Sequence, residues 1–214
     1  MAVAADSTNI TVEPVTEGRM SERQATSSAG PATNTQVADA SPADAQAMAA
    51  LGAKVFAESF GYSIPSDDLA AFLESTYSAA ALEAELRDPR ISTWAAKDAE
   101  GGALLGFVQL VRGKTDECLE ESSTDLDPSG LAHLHRLYVD SRAHGGGIGS
   151  RLVAVAEERA RAEGFSKVWL TVWEENERAS ALYERLGFAK VGKTDFVIGQ
   201  CAQRDWVMVK DLER

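Results

Sequence analysis

The chain has 214 residues, 44% hydrophobic and 25% charged, enough for one globular domain with a substantial core and a tail. A formal charge of −12 argues against nucleic acid or an anionic membrane as partner, since either calls for a basic patch. Cys118 and Cys201 belong to no C-x-x-C pair, and neither a membrane-length apolar run nor a secretory leader is visible. The expectation is a cytoplasmic protein without a disulfide framework or bound metal.

Residues 1–44 are rich in Ala, Ser, Thr, Asp and Pro, lack aromatic residues and show no sustained period, so they read as a disordered acidic tail before a domain over 45–214. From Ala45, Met48, Leu51, Val55 and Phe56 recur at helical steps as far as the Phe60-Gly61 break. Ser66-Asp-Asp-Leu predicts the cap of a second helix, and Ser78 to Leu86 a third that stops before Pro89. Ile91 to Lys97 and Leu104 to Val111 then predict a hairpin around Asp98-Ala-Glu-Gly-Gly. Further strands are expected over Leu134 to Val139, Lys167 to Trp173, Phe188 to Ile198 and Asp205 to Val209. Helices are expected over Ser150 to Glu163 and Glu177 to Leu186. This order predicts an α/β fold, a mixed sheet of six to seven strands with helices on both faces. Unbroken alternation places Leu134, Arg136 and Tyr138 on one face of their strand, and His133, His135, Leu137 and Val139 on the other.

Between the third strand and the following helix lies Ser141-Arg-Ala-His-Gly-Gly-Gly-Ile-Gly-Ser150. Glycines allow close approach to the main chain, and the first amides of a helix lack intrahelical partners at its positive end. Such a turn binds phosphate. Gly149 is followed by Ser150 and Arg151 where a P-loop needs Lys-Ser/Thr, which removes an ordinary ATP or GTP site. The spacing also fails the G-x-G-x-x-G dinucleotide pattern.

This loop resembles the Q/R-x-x-G-x-G/A acetyl-CoA loop of the GNAT superfamily of N-acetyltransferases. Arg142, Gly145 and Gly147 match its letters; His144, Gly147 and Gly149 match its spacing to the helix, and that register is preferred. Asn176, Ala179, Tyr183, Gly187 and Phe188 resemble the family's N-x-x-A-x-x-x-Y-x-x-x-G-F signature. The resemblance implies a GNAT fold with a splayed central strand pair and acetyl-CoA as cosubstrate. It implies that His144, Gly145, Gly146, Gly147, Ile148, Gly149 and Ser150 hold the pyrophosphate. Leu137, Tyr138 and Val139 would pair by backbone with the pantetheine arm, Asn176 would contact that arm, and Tyr183 would protonate the departing thiolate. Phe56-Ala-Glu-Ser-Phe60, Tyr77-Ser78, Trp169-Leu-x-Val-Trp-Glu174 and the ending Phe196 to Lys210 look like the bacterial PaiA-type polyamine acetyltransferases, which acetylate spermidine and spermine.

An acceptor ammonium must lose a proton before it attacks, directly or through a water. His135 is the favoured base, with His133 and Glu174 as the other candidates. The segment Gly113 to Gly130 carries Asp116, Glu117, Glu120, Glu121, Asp125 and Asp127 against Lys114, so it reads either as a solvated loop or as the rim of a site for cations. The expected partner is a small-molecule amine, and a homodimer is compatible with the reading. Acetylation of a protein N-terminus or lysine, and a non-catalytic acyl-CoA sensor, stay open as alternatives.

Overall fold

A computed structural model of the chain describes residues 35–100, 102–121 and 128–212. Its strands are β1 (Thr35–Asp39), β2 (Ile91–Asp98), β3 (Leu104–Arg112), β4 (Leu131–Val139), β5 (Lys167–Trp173), β6 (Ala189–Ile198) and β7 (Cys201–Asp211). They form one mixed sheet in the order β1-β2-β3-β4-β5-β7-β6, in which β4 and β5 are the parallel pair. Helices α1 (Ala45–Phe60), α2 (Ser66–Thr76), α3 (Ala79–Arg87) and α4 (Glu117–Glu121) serve one face, and α5 (Ile148–Ala162) and α6 (Glu177–Arg185) the other.

Local chemistry explains these elements. In α5, Leu152, Val153, Ala156 and Ala160 are fully buried at helical spacing and pack on Val108, Leu110, Leu134 and Leu170. Ser78 caps α3 by accepting the Ala81 N–H at 3.2 Å. Ser66 is the first residue inside α2, and Pro65 holds the cap position that the sequence reading gave to Ser66. Under the other face, Met48, Phe56, Tyr77, Leu82 and Phe107 form a second core. Among the described residues no helix is long and apolar enough to cross a membrane.

Three expectations change. The span read as tail enters the fold at Thr35, because β1 pairs along β2 from Thr35↔Asp98 to Asp39↔Trp94. It is an edge strand with a single core-facing aliphatic residue, Val37, too short to show a period. Residues 1–34 lie outside the described residues. Part of the acidic loop is helical, with Cys118 and Leu119 of α4 buried against Leu131, Trp169, Val207 and Val209. Asp125 and Asp127 lie outside the described residues.

The third change concerns β4. Gln109 pairs with Arg136 but Leu110 pairs with Leu134, so His135 is an extra residue bulged out of the ladder. Alternation resets there. Leu134, Leu137 and Val139 face α5, whereas His133, Arg136 and Tyr138 face the α1–α4 side. The predicted grouping of Leu134 with Arg136 and Tyr138 is therefore corrected. Arg136 is stabilised there by Glu85 of α3, by Gln109 Oε1 at 3.1 Å and by the Tyr77 ring 5.3 Å away.

Candidate active site

β4 and β5 pair from Leu131↔Lys167 to His133↔Trp169 and then part. Beyond that point the edge of β4 that would face β5 lines a cleft of about 1050 Å³ running between the two strands. Unpaired strand edges offer amides and carbonyls to an extended ligand. Leu137, Tyr138 and Val139 lie on this stretch and line the cleft.

At its end the chain turns through Asp140, whose carboxylate accepts the Arg142 N–H at 3.0 Å and binds the Arg142 guanidinium and the Lys54 ammonium. Hydrogen bonds from Arg142, then the bond and charge of Lys54, hold Asp140 well below the ordinary carboxylate range despite its burial. Arg142 is thus committed to the base of the loop and does not line the cleft. His144 does line it, and its Nε2 donates to the Val139 carbonyl at 3.0 Å, tying the loop to the strand end. Gly147 caps α5 with φ 73°, a left-handed conformation that favours glycine. The amides of Ile148, Gly149 and Ser150 follow at the positive end of α5 and border the cleft. A Cβ on Gly149 would stand 3.3 Å from Leu182 Cδ2, so this glycine also lets α6 close on α5. Gly145 lines the cleft, and Gly146 is not among its lining residues.

Asn176 caps α6, accepting the Ala179 N–H at 3.1 Å, and lines the cleft. Tyr183 is buried edge-on to Phe188 with centroids 5.7 Å apart, and its hydroxyl has no hydrogen bond to another described residue. Burial, followed by the neighbouring Tyr138, pushes the phenol above its usual range, so at neutral pH it carries a proton it can donate. Arg178 and Arg185 of α6 line the same part of the cleft.

The α1–α4 side has a different character. The His133 ring stacks on Trp169 with centroids 4.0 Å apart, and His135 projects from the bulge with an exposed surface inside the cleft. Crowding by the cleft walls lowers both imidazoles well below their ordinary value, helped by Lys114 and His135 for His133 and by Arg136 and Lys114 for His135. Both rings are neutral at pH 7. Glu174, the other candidate base, is exposed, pairs with Lys193 at 2.7 Å and does not line the cleft. Asp116, Glu117, Asp195 and Asp205 do line it, together with Trp169, Trp173 and Phe60.

The structure therefore gathers His135, Tyr183, Asn176, the β4 edge and most of the glycine loop around one cleft. Sequence reading missed Arg178, Arg185, Thr171 and Asp205. The arginines look like an ordinary solvated helix face, while Asp205 comes near Asp116 and Asp195 only through sheet order. Among the described residues no group of three His, Cys, Asp or Glu side chains is placed to hold a metal ion.

The model of the Acetyltransferase (GNAT) family matches residues 56–188. An uncharacterized N-acetyltransferase of Lactobacillus delbrueckii subsp. lactis is 30% identical over 84% of this chain and 99% of its own length. The spermine/spermidine N(1)-acetyltransferase of Bacillus subtilis is 32% identical over 52% of this chain and 65% of its own. Among solved structures, the PaiA N-acetyltransferase of Thermoplasma acidophilum in complex with coenzyme A aligns with a TM-score of 0.63 at 18% identity, over 83% of this chain and 99% of that one. Arabidopsis thaliana NAA60 in complex with acetyl-CoA aligns with a TM-score of 0.65 at 19% identity, over 84% and 99%.

Proposed function

Because this chain belongs to the GNAT acetyltransferase family, we propose that it transfers acetyl from acetyl-CoA to a primary amine of a polyamine, by direct attack within a ternary complex. The observation that carries the acceptor class is the α1–α4 side of the cleft, which Asp116, Glu117 and Asp205 border together with Phe60, Trp169 and Trp173, against the one lysine Lys114. That lining favours an organic cation. The partial likeness to a spermine/spermidine acetyltransferase points the same way.

When bound, acetyl-CoA supplies an activated acetyl carbon and a thiolate leaving group. The left-handed turn at Gly147, the free amides of Ile148, Gly149 and Ser150, and the unpaired edge of β4 fit its pyrophosphate and its extended arm. In this reading Leu137, Tyr138 and Val139 hold that arm by backbone, and the Asn176 amide nitrogen adds a donor while its oxygen caps α6. Tyr183 donates its proton to the leaving sulfur. His135, neutral at pH 7, accepts the amine proton directly or through one water. Much of the rate comes from holding donor and acceptor in attack geometry.

A second reading, a protein amine as acceptor, is favoured by apolar groups around the same mouth: Phe196 and Val197 line the cleft, the latter 51% exposed, and Tyr62 beside Trp173 is 74% exposed. The test is a panel of polyamines, monoamines and intact proteins assayed with acetyl-CoA, following thiol release. Turnover of proteins with none of the polyamines would replace the first reading by the second.

A further inference from the structure

β7 turns Gln203, Asp205, Val207 and Val209 toward the α1–α4 side, and Asp205 is the charged member of that row. It keeps 9% of its surface, borders the cleft, and sits in register between Trp173 of β5 and Thr194 of β6. Its Oδ1 is buried with no hydrogen-bond partner among the described residues, and Thr171 is the neighbouring polar group that works against the effect of burial on the carboxyl. A buried carboxylate without a cation is costly, and sites that retain one usually use it.

Three of the neighbouring carboxylates are served by the protein. Glu174 pairs with Lys193 at 2.7 Å, Asp195 lies 3.5 Å from Arg204, and Asp116 accepts the Cys118 N–H at 3.0 Å. Asp205 has no ion pair among the described residues. Trp173, its register neighbour on β5, lines the same cleft and packs against Phe60 and Tyr62 at 5.5 and 5.7 Å, so the carboxylate sits beside an aromatic wall.

We propose that Asp205 is a positioning residue that anchors an ammonium group of the acceptor, one that stays charged while a different nitrogen of the same molecule is acetylated. This deepens the polyamine reading above and rests on it. A reacting nitrogen must shed its proton, and a carboxylate set among three others holds protons on, so Asp205 suits the nitrogen that does not react. Between β7 and β4 stand β5 and the cleft that opens where β4 and β5 part, so at Asp205 the two strands are farther apart than the roughly 10 Å of two paired strands. A long polyamine, with nitrogens spread along an extended chain, reaches toward both walls, and a monoamine cannot.

The test compares wild type with Asp205→Asn, which keeps the size of the side chain and an acceptor for Thr171. Should that variant not fold, Asp205→Ser carries the same expectation. With acetyl-CoA saturating, the preference for spermidine over butylamine, as a ratio of kcat/KM values, should fall about 10- to 100-fold and through KM, the range of a charge-assisted hydrogen bond. An unchanged ratio, whether both amines fall together or neither falls, overturns the anchor. Calorimetry of spermidine binding with coenzyme A present separates this inference from the function it rests on. If wild type acetylates none of the amines, the proposed function fails, yet spermidine binding lost in Asp205→Asn still supports the anchor. Absence of spermidine binding to wild type overturns it.

Discussion

Replacing Glu85 by Ala should destabilise the protein through Arg136. The Arg136 side chain is 7% exposed, and Glu85 is its ion-pair partner, itself 25% exposed on the side chain. Gln109 donates to Glu85 at 3.0 Å and accepts from Arg136 at 3.1 Å, so it depends on the same carboxylate. Removing one partner of a buried pair costs about 3–5 kcal/mol, because a desolvated charge is left behind. Water reaches the exposed quarter of Glu85, which brings the expectation down to about 2–3 kcal/mol. In a domain of this size that is a fall in Tm of about 5–10 °C, read by circular dichroism at neutral pH. Glu85→Leu combined with Arg136→Met and Gln109→Leu should recover most of the loss, since then neither a charge nor the buried Gln109 amide is left without partners. A fall below about 2 °C in Glu85→Ala, or no recovery in the triple variant, would refute the claim that Glu85 makes a buried Arg136 tolerable.

Tyr183→Phe should lower kcat about 10²- to 10⁴-fold with acetyl-CoA affinity retained, measured by steady-state kinetics beside calorimetry; wild-type turnover would remove the phenol from the chemistry. Gly147→Val should lose acetyl-CoA binding. The site has room for a Cβ, since no atom lies within 4 Å, so the damage comes from the left-handed φ, a strain of about 1–2 kcal/mol that the turn releases by moving its amides. Full affinity in a folded variant would contradict this. Asp205→Asn should stabilise the protein in a pH-dependent way. Burial raises the carboxyl to about 7, with Glu174, Asp116 and Asp195 adding to it and the Thr171 hydrogen bond opposing. A raised carboxyl binds its proton more tightly folded than unfolded, so wild type loses stability as pH climbs from about 4 to 7 and the variant does not. The Tm gap should open across that window and stay level above it; a gap independent of pH would mean that Asp205 ionises normally.

Elements with strong periods and clear punctuation were legible in the sequence. Lys167–Trp173 is a strand over the expected residues, α5 stands where buried aliphatics recur, α6 starts at its Asn176 cap, and glycine follows both helices. The glycine-loop end of the cleft was legible because its residues are contiguous, a loop and two helix starts. β1 was not, since an edge strand buries one face at most and Val37 alone gives no period. Asp205 was invisible for another reason. Its environment comes from Asp116, Thr171, Glu174 and Asp195, separated by long stretches of chain and joined only when β7 inserts between β5 and β6.

His135 shifts β4 by half a period, and that shift governs how any change near the cleft must be counted. On the N-terminal side of the bulge, odd-numbered positions such as His133 belong to the α1–α4 layer; past it, even-numbered Arg136 and Tyr138 do. Leu134 and Leu137, three apart, share the aliphatic layer beneath α5. One strand thereby supplies wall to two chemically unlike compartments without any break in the chain, and the residue that falls out of step is the one left pointing into the space between them.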